Sequence, residues 1–261
     1  MTIDPATASD LGARFAELHA EGTFLLVNVA DPVTAAAVVA AGARSIATSS
    51  GAHAALIGRR DAAGAVSMDE HAEHTEQLVA AASTVPCNVD AENGYGHEPE
   101  DVAAAVRRFA ATGAAGMGIE DWSGDADRGV YDRALTVARI EAAVEAAAAL
   151  DRPFLVTGRT EVLLYDLDGG ISEALARLQG MAEVGAHCLY APGTRSLDSV
   201  RTVVADAGGP VNVLAAPWRD GAPTVAEIAE AGTRRISLGG ALFTAQVKFA
   251  AAEVGRLVDE L

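Results

Sequence analysis

From Phe24 onward the chain repeats one unit, a short apolar or β-branched run followed by an alanine-rich stretch or a loop leading into one. Eight such runs can be counted: FLLVNVA, SIATSS, VPCNVDAE, AAGMGIED, FLVTGRTE, HCLYAPG, VNVLAAP and RRISLGG. Alternation of this kind is the pattern of βα units on a parallel sheet, and eight units is the number that closes a barrel. Gly42, Gly113, Gly185, Gly208 and Gly232 each stand just past a helical stretch, where glycine takes the left-handed cap conformation. Ser67 with Glu70 three residues on, and Glu98-Pro99-Glu100, read as helix starts. The segment up to Glu21 reads as one further short helix closing the barrel floor.

At 261 residues, a single (β/α)8 TIM-type domain spanning 1–261 is of ordinary size. A doubly wound open sheet is the rival architecture. Polar residues favour the barrel. Ser49, Asp90, Glu92, Glu120, Asp121, Arg159 and Glu161 gather at the carboxyl ends of several different strands, where barrel enzymes carry their chemistry.

A formal charge of -17 argues against nucleic acid or an anionic membrane as partner. No apolar run has the roughly 20 residues a membrane span needs, and no basic-then-apolar leader opens the chain, so a cytoplasmic location is expected. Cys87 and Cys188 lie far apart in apparent strands and read as buried bystanders. Lys248, in the last helical segment, is the only lysine. A Schiff-base aldolase with a strand-borne lysine is therefore not expected.

In VPCNVDAENGYG, Asp90 and Glu92 are two apart on a strand and point to one side of the sheet. Two such carboxylates repel unless a cation or shared proton compensates, and hard oxygen ligands favour Mg2+, with Mn2+ as the other choice. In a barrel, Glu120 and Asp121 of GIED converge on them. The bland alternative is that these acids cap the helices that follow, which would suit Asp121. Arg159 offers a planar fork for a substrate carboxylate, or a structural partner for Glu161 or Glu120. Ser49, Ser50 and Gly51 present donors for a carbonyl or carboxylate oxygen, or form only a tight turn. His71 and His74, beside Glu70 and Glu73, are expected on the solvated face of a helix. The glycines of SLGG stand where many barrels bind phosphate, but no basic residue immediately follows them.

With those residues in place, the chain resembles the isocitrate lyase and phosphoenolpyruvate mutase superfamily from about Leu26 to Leu242. The ordered segments are VNVADPVTA, ATSSG, GRRD, DAENGYG, GIED and TGRTE. The resemblance implies a (β/α)8 barrel, a Mg2+ ion chelated by a small 2-oxo acid or dicarboxylate, and a homodimer or homotetramer with the last helix exchanged. By motif, Asp90 resembles the direct metal ligand, and Asp61, Glu92 and Glu120 resemble positions that hold the metal through water. Arg159 resembles the substrate-carboxylate arginine, and Ser49, Ser50 and Gly51 the segment that binds substrate oxygens. Asp31 and Tyr95 also lie in family motifs.

The departures narrow the chemistry. Lyases of the superfamily carry a lysine-cysteine-glycine-histidine signature after the fourth strand, whereas this chain reads DWSGDADRGVYD. Carbon-phosphorus chemistry of the mutase and phosphonopyruvate hydrolase type uses a loop lysine and asparagine, both absent here. Carbon-carbon cleavage beside a 2-oxo group remains, by decarboxylation of an oxaloacetate-like compound or retro-aldol cleavage of a substituted malate. Arg159, Glu120 and Tyr95 are the catalytic candidates. The proton donor is left among a metal-bound water, Tyr95 and a residue of the loop Trp122 to Tyr131, which is expected to close over ligand. A barrel that keeps the metal site but only binds ligand is the reading from another class.

Overall fold

The computed structural model describes residues 3–61 and 64–261. In chain order the elements are α1 Pro5–Ala20, β1 Phe24–Asn28, α2 Pro32–Ala40, β2 Ile46–Ala47, α3 Ser50–Leu56, α4 Met68–Ala81, β3 Cys87–Asp90, α5 Pro99–Ala110 and β4 Gly116–Glu120. They continue with α6 Arg133–Ala148, β5 Leu155–Arg159, α7 Gly170–Glu183, β6 Cys188–Tyr190, α8 Leu197–Asp206, β7 Val211–Leu214, α9 Val225–Glu230, β8 Arg235–Ser237 and α10 Ala241–Val258. All strands pair in parallel with their chain neighbours, and β1 closes on β8 through Leu25 opposite Ile236. The open-sheet alternative is thereby excluded.

Local chemistry sets these boundaries. The five cap glycines all have positive φ, from +87° to +100°, in the left-handed region that costs a side chain most. Ser67 and Glu70 form a reciprocal capping box at α4, and Glu98 with Asp101 does the same at α5 behind Pro99. The strands are shorter than the apolar runs, because their tails leave the ladder to build loops at the barrel mouth. After β2 the chain makes two helices, α3 and α4, rather than one.

Packing follows the usual two shells. Phe109, Ile140, Leu178 and Met181, all buried, fill the layer between strands and helices. A smaller cluster at the floor joins Phe15 and Leu18 of α1 to Phe24, Leu26, Ala115 and Leu155 at or near the strand starts, so α1 plugs the amino end. Gly116 is required there, since a Cβ would stand 2.5 Å from the Leu155 carbonyl oxygen.

The expectation for two histidines is corrected, and that for the cysteines holds. His71 and His74 are buried at 1% and 7% exposure rather than solvated. They share a face of α4 with Thr75, Leu78 and Val79, a stripe that turns inward despite the flanking glutamates. Cys87 and Cys188 are buried and free, with burial pushing the Cys87 thiol up to about 12. Among the described residues, no helix is long and apolar enough to cross a membrane.

Candidate active site

Arg159, the last residue of β5, points into the carboxyl mouth and meets acids from three strands' ends. Its Nη1 is 3.2 Å from Asp90 Oδ1 and 3.4 Å from Glu120 Oε2, and its Nε donates to Glu161. The guanidinium also stands over the Tyr190 ring, 5.2 Å from its centroid. Burial opposes the charge on Arg159, but Glu161, Glu120 and Asp90 outweigh it and hold the guanidinium above its ordinary range. The structural and functional readings of this arginine thus meet in one group.

Asp90 ends β3 and is addressed from the second loop. The Ser50 backbone N–H and hydroxyl both donate to Asp90 Oδ2 at 3.0 Å. Ser49 is not in a simple turn but caps α3, accepting from Ala52 N–H at 3.4 Å. Gly51 leaves room for Asp61, since a Cβ there would lie 2.5 Å from Asp61 Oδ2 and displace that carboxylate. Asp61 is therefore laid against the start of α3. Its pKa is raised by burial and by Asp90, with Arg159 opposing.

Glu92 differs from the sequence expectation. The strand stops at Asp90, and Glu92 turns with φ 48°, so the pair does not share a strand face by pleating. Its carboxylate still returns to the cluster and accepts from Gly64 N–H at 3.0 Å. Burial raises Glu92 to about 7, the Gly64 bond counteracts, and Asp90 and Asp61 add repulsion. Glu120 lies well above the usual carboxylate range, chiefly through burial, with Arg159 opposing and Glu161, Asp90 and Glu92 reinforcing. Glu161 is raised by burial too, and its Oε2 is buried with no hydrogen-bond partner.

Asp90, Glu120 and Glu161 thus meet one guanidinium, and Asp61 and Glu92 repel Asp90 beside them, a set of hard oxygen donors with a single arginine among them. A divalent cation fits that imbalance. Among the described residues, no three His, Cys, Asp or Glu side chains could grip an ion together. Mg2+ usually takes one or two carboxylates and keeps several waters.

Other residues take supporting places. Asp121 is not a helix cap: it accepts from Thr160 Oγ1 at 2.7 Å, Glu161 N–H at 2.9 Å and Arg177 Nη1 at 3.0 Å, tying the fourth and fifth loops to α7. Tyr95, at φ 63°, feels the charges of Glu92, Asp90 and Glu120, but its hydroxyl lies 2.5 Å from His71 Nδ1 and its ring against Phe109. His71 Nε2 in turn lies 3.0 Å from Thr48 Oγ1, which accepts from Asp90 N–H at 2.9 Å. Asp31 caps α2 by accepting from Thr34. The N–H groups of Leu238 and Gly239 are spent on Asn28 Oδ1, at 3.0 and 2.8 Å. The loop Trp122 to Tyr131 is folded on itself through a bridge from Trp122 to Val130, and Trp122 stacks on Tyr165 with centroids 4.3 Å apart.

A closed parallel barrel with acids and an arginine at its carboxyl mouth has the architecture of a (β/α)8 enzyme. Residues 15–258 match the family model described as phosphoenolpyruvate phosphomutase, and the chain belongs to that family. A Burkholderia cenocepacia J2315 protein described as a lyase/mutase is 36% identical, with a TM-score of 0.91 over 98% of this chain and 91% of that one. A solved 2,3-dimethylmalate lyase, a PEP mutase/isocitrate lyase superfamily member, is 26% identical, with a TM-score of 0.84 over 97% of this chain and 87% of that one. Oxaloacetate decarboxylase of Rhodopseudomonas palustris (strain BisB5) is 30% identical over 169 residues, 62% of this chain and 55% of the relative. Relatives of this kind are lyases and mutases, which supports an enzyme.

Proposed function

We propose that this chain is a Mg2+-dependent lyase that breaks a carbon-carbon bond of a small dicarboxylate, by decarboxylation of an oxaloacetate-like 2-oxo acid or by retro-aldol cleavage of a substituted malate, whose 2-hydroxyl gives up its proton and becomes the 2-oxo group of the product. The observation that carries the reading is the excess of carboxylates around Arg159 at the barrel mouth. Asp90 would hold the metal directly, and Asp61, Glu92 and Glu120 through water. When bound, the metal polarises the 2-oxo group and stabilises negative charge developing on it. Arg159 takes the substrate carboxylate in a two-pronged contact, exchanging its present acid partners for it. Ser50 N–H, free of Asp90 once that group turns to the metal, and Gly51 N–H offer donors to substrate oxygens. Relatives named as 2,3-dimethylmalate lyase and oxaloacetate decarboxylase support the carbon-carbon class, and the loop Trp122 to Tyr131 holds neither the lysine nor the asparagine that the resemblance implies for carbon-phosphorus chemistry. Pyruvate release from oxaloacetate, substituted malates, methylisocitrate and phosphonopyruvate tests it. Mg2+-dependent turnover of a carbon-carbon substrate, abolished in Asp90→Ala, is expected; turnover of phosphonopyruvate alone would refute it.

A second copy of the chain is the proposed partner. None of the residues of α10 is buried, and Val247, Phe249, Val254, Leu257 and Val258 are exposed along it. A helix gains most of its stability by packing an apolar face, so α10 fits exchange between subunits of a homodimer or homotetramer. Light scattering on Phe249→Glu should show a smaller assembly than the unaltered chain.

A further inference from the structure

Decarboxylation of an oxaloacetate-like compound leaves a pyruvate enolate that needs a proton, and this chain has no cysteine, lysine or histidine in the loop Trp122 to Tyr131. Its four tyrosines separate by what their hydroxyls do. Tyr95 is bonded to His71, and Tyr131 to His97 at 2.7 Å with Asn93 at 3.5 Å. Tyr190 lies in the strand layer against Arg159, with its hydroxyl directed at Ser237. Among the described residues, the hydroxyl of Tyr165 has no protein hydrogen-bond partner, and of the four tyrosines Tyr165 is the half-exposed one.

Its placement is specific. Tyr165 N–H donates to the Glu161 carbonyl at 3.1 Å, which fixes it one turn beyond Arg159 and Glu161 in the fifth loop. Its ring stacks on Trp122, two residues past Glu120 in the fourth loop, at 4.3 Å and 33°. The stack therefore bridges the loops that follow the two strands bearing Glu120 and Arg159. Beyond burial, the charges that act on its phenol are Glu161, Glu120, Arg159 and Asp61, all members of the acid cluster.

Resting on the decarboxylation form of the lyase reading above, we propose that Tyr165 is the catalytic acid that protonates C3 of the pyruvate enolate, held over the barrel mouth by Trp122. When the carbon-carbon bond breaks, its electron pair enters the enolate. The enolate carbon then takes the phenol proton, the O–H pair stays on the tyrosine oxygen, and water restores the phenol after product leaves. Carboxylate neighbours disfavour a resting phenolate, so the residue waits in its acid form.

Microscopic reversibility supplies the test. The same group must remove a methyl proton from pyruvate, so the Mg2+-loaded protein in D2O should incorporate deuterium at pyruvate C3, followed by NMR. Exchange should fall about 100-fold in Tyr165→Phe, the scale of general acid-base catalysis, and stay near the unaltered level in Tyr190→Phe. Calorimetric affinity for Mg2+ and oxalate should be unchanged in Tyr165→Phe. Less than about a tenfold loss, or a larger loss in Tyr190→Phe, would overturn the assignment while leaving the lyase reading intact. Binding of oxalate by the unaltered protein without any exchange would overturn it too. If neither oxalate binds nor exchange occurs, the lyase reading fails and this assignment with it.

Discussion

Two arginines face the inside of this barrel, and their surroundings differ. Arg235, near the floor, is 2% exposed and meets neutral groups: Nε donates to Asn212 Oδ1 at 2.9 Å, Nη2 to Thr157 Oγ1 at 3.0 Å, and Nη1 lies 3.3 Å from His19 Nε2. Burial, then Arg235, pushes His19 down to about 3, and its Nδ1 donates to the Phe15 carbonyl at 2.8 Å, leaving Nε2 to accept. Arg159, at the mouth, is ringed by carboxylates, one of which keeps an oxygen without a partner. Arg235 is held by neutral partners in a hydrogen-bond network; Arg159 sits among carboxylates, a charge pattern that a ligand would complete. Buried polar groups that are satisfied hold a fold, and those left unbalanced mark where it acts.

The sharpest way to break that contrast is to remove each arginine. Arg159→Ala should lower kcat/KM by about 10^3, roughly 4 kcal/mol of transition-state stabilisation, and Arg159→Lys should recover little of it because the fork is lost. Its melting temperature should fall in EDTA and recover with Mg2+. Arg235→Met leaves Asn212, Thr157 and His19 without their donor and should cost about 3 kcal/mol of stability, roughly 6 to 12 °C, with no recovery on adding Mg2+. Equal responses to Mg2+ in the two variants would erase the distinction.

A smaller effect separates the regions by pH. Glu92 has a folded pKa of about 7 against an ordinary 4.5, so the folded state binds the extra proton, and its contribution to stability is lost as pH rises from 4.5 to 7. His19 has a folded pKa of about 3 against 6.5, so its contribution is present above pH 6.5 and lost as pH falls toward 3. Melting temperatures measured in EDTA should therefore rise more steeply with pH in Glu92→Gln, and less steeply in His19→Gln, than in the unaltered chain. Shifts of the same sign in both would contradict the assignment of charge states.

The mouth was far more legible in the sequence than the floor. Strand-end acids stand in a row of apolar runs, so Asp90, Glu120 and Arg159 announce themselves, and periodicity with cap glycines sufficed for the barrel. Glu92 was placed on a strand because pleating was extended past Asp90, where a left-handed turn ends it. His71 was misread because Glu70 and Glu73 masked an inward stripe that Thr75, Leu78 and Val79 reveal. Nothing in RRIS marks Arg235, since its partners Asn212, Thr157 and His19 come from distant segments. Tyr165 was equally hidden, because its meaning depends on a stack between two loops and on what the other hydroxyls already bind.

The most direct measurement for the central claim is calorimetric titration of oxalate into the protein with Mg2+ and with EDTA. Binding that requires Mg2+ and disappears in Asp90→Ala is the predicted result. Oxalate binding that is indifferent to Mg2+, or that survives Asp90→Ala unchanged, would contradict a metal-dependent site at the barrel mouth.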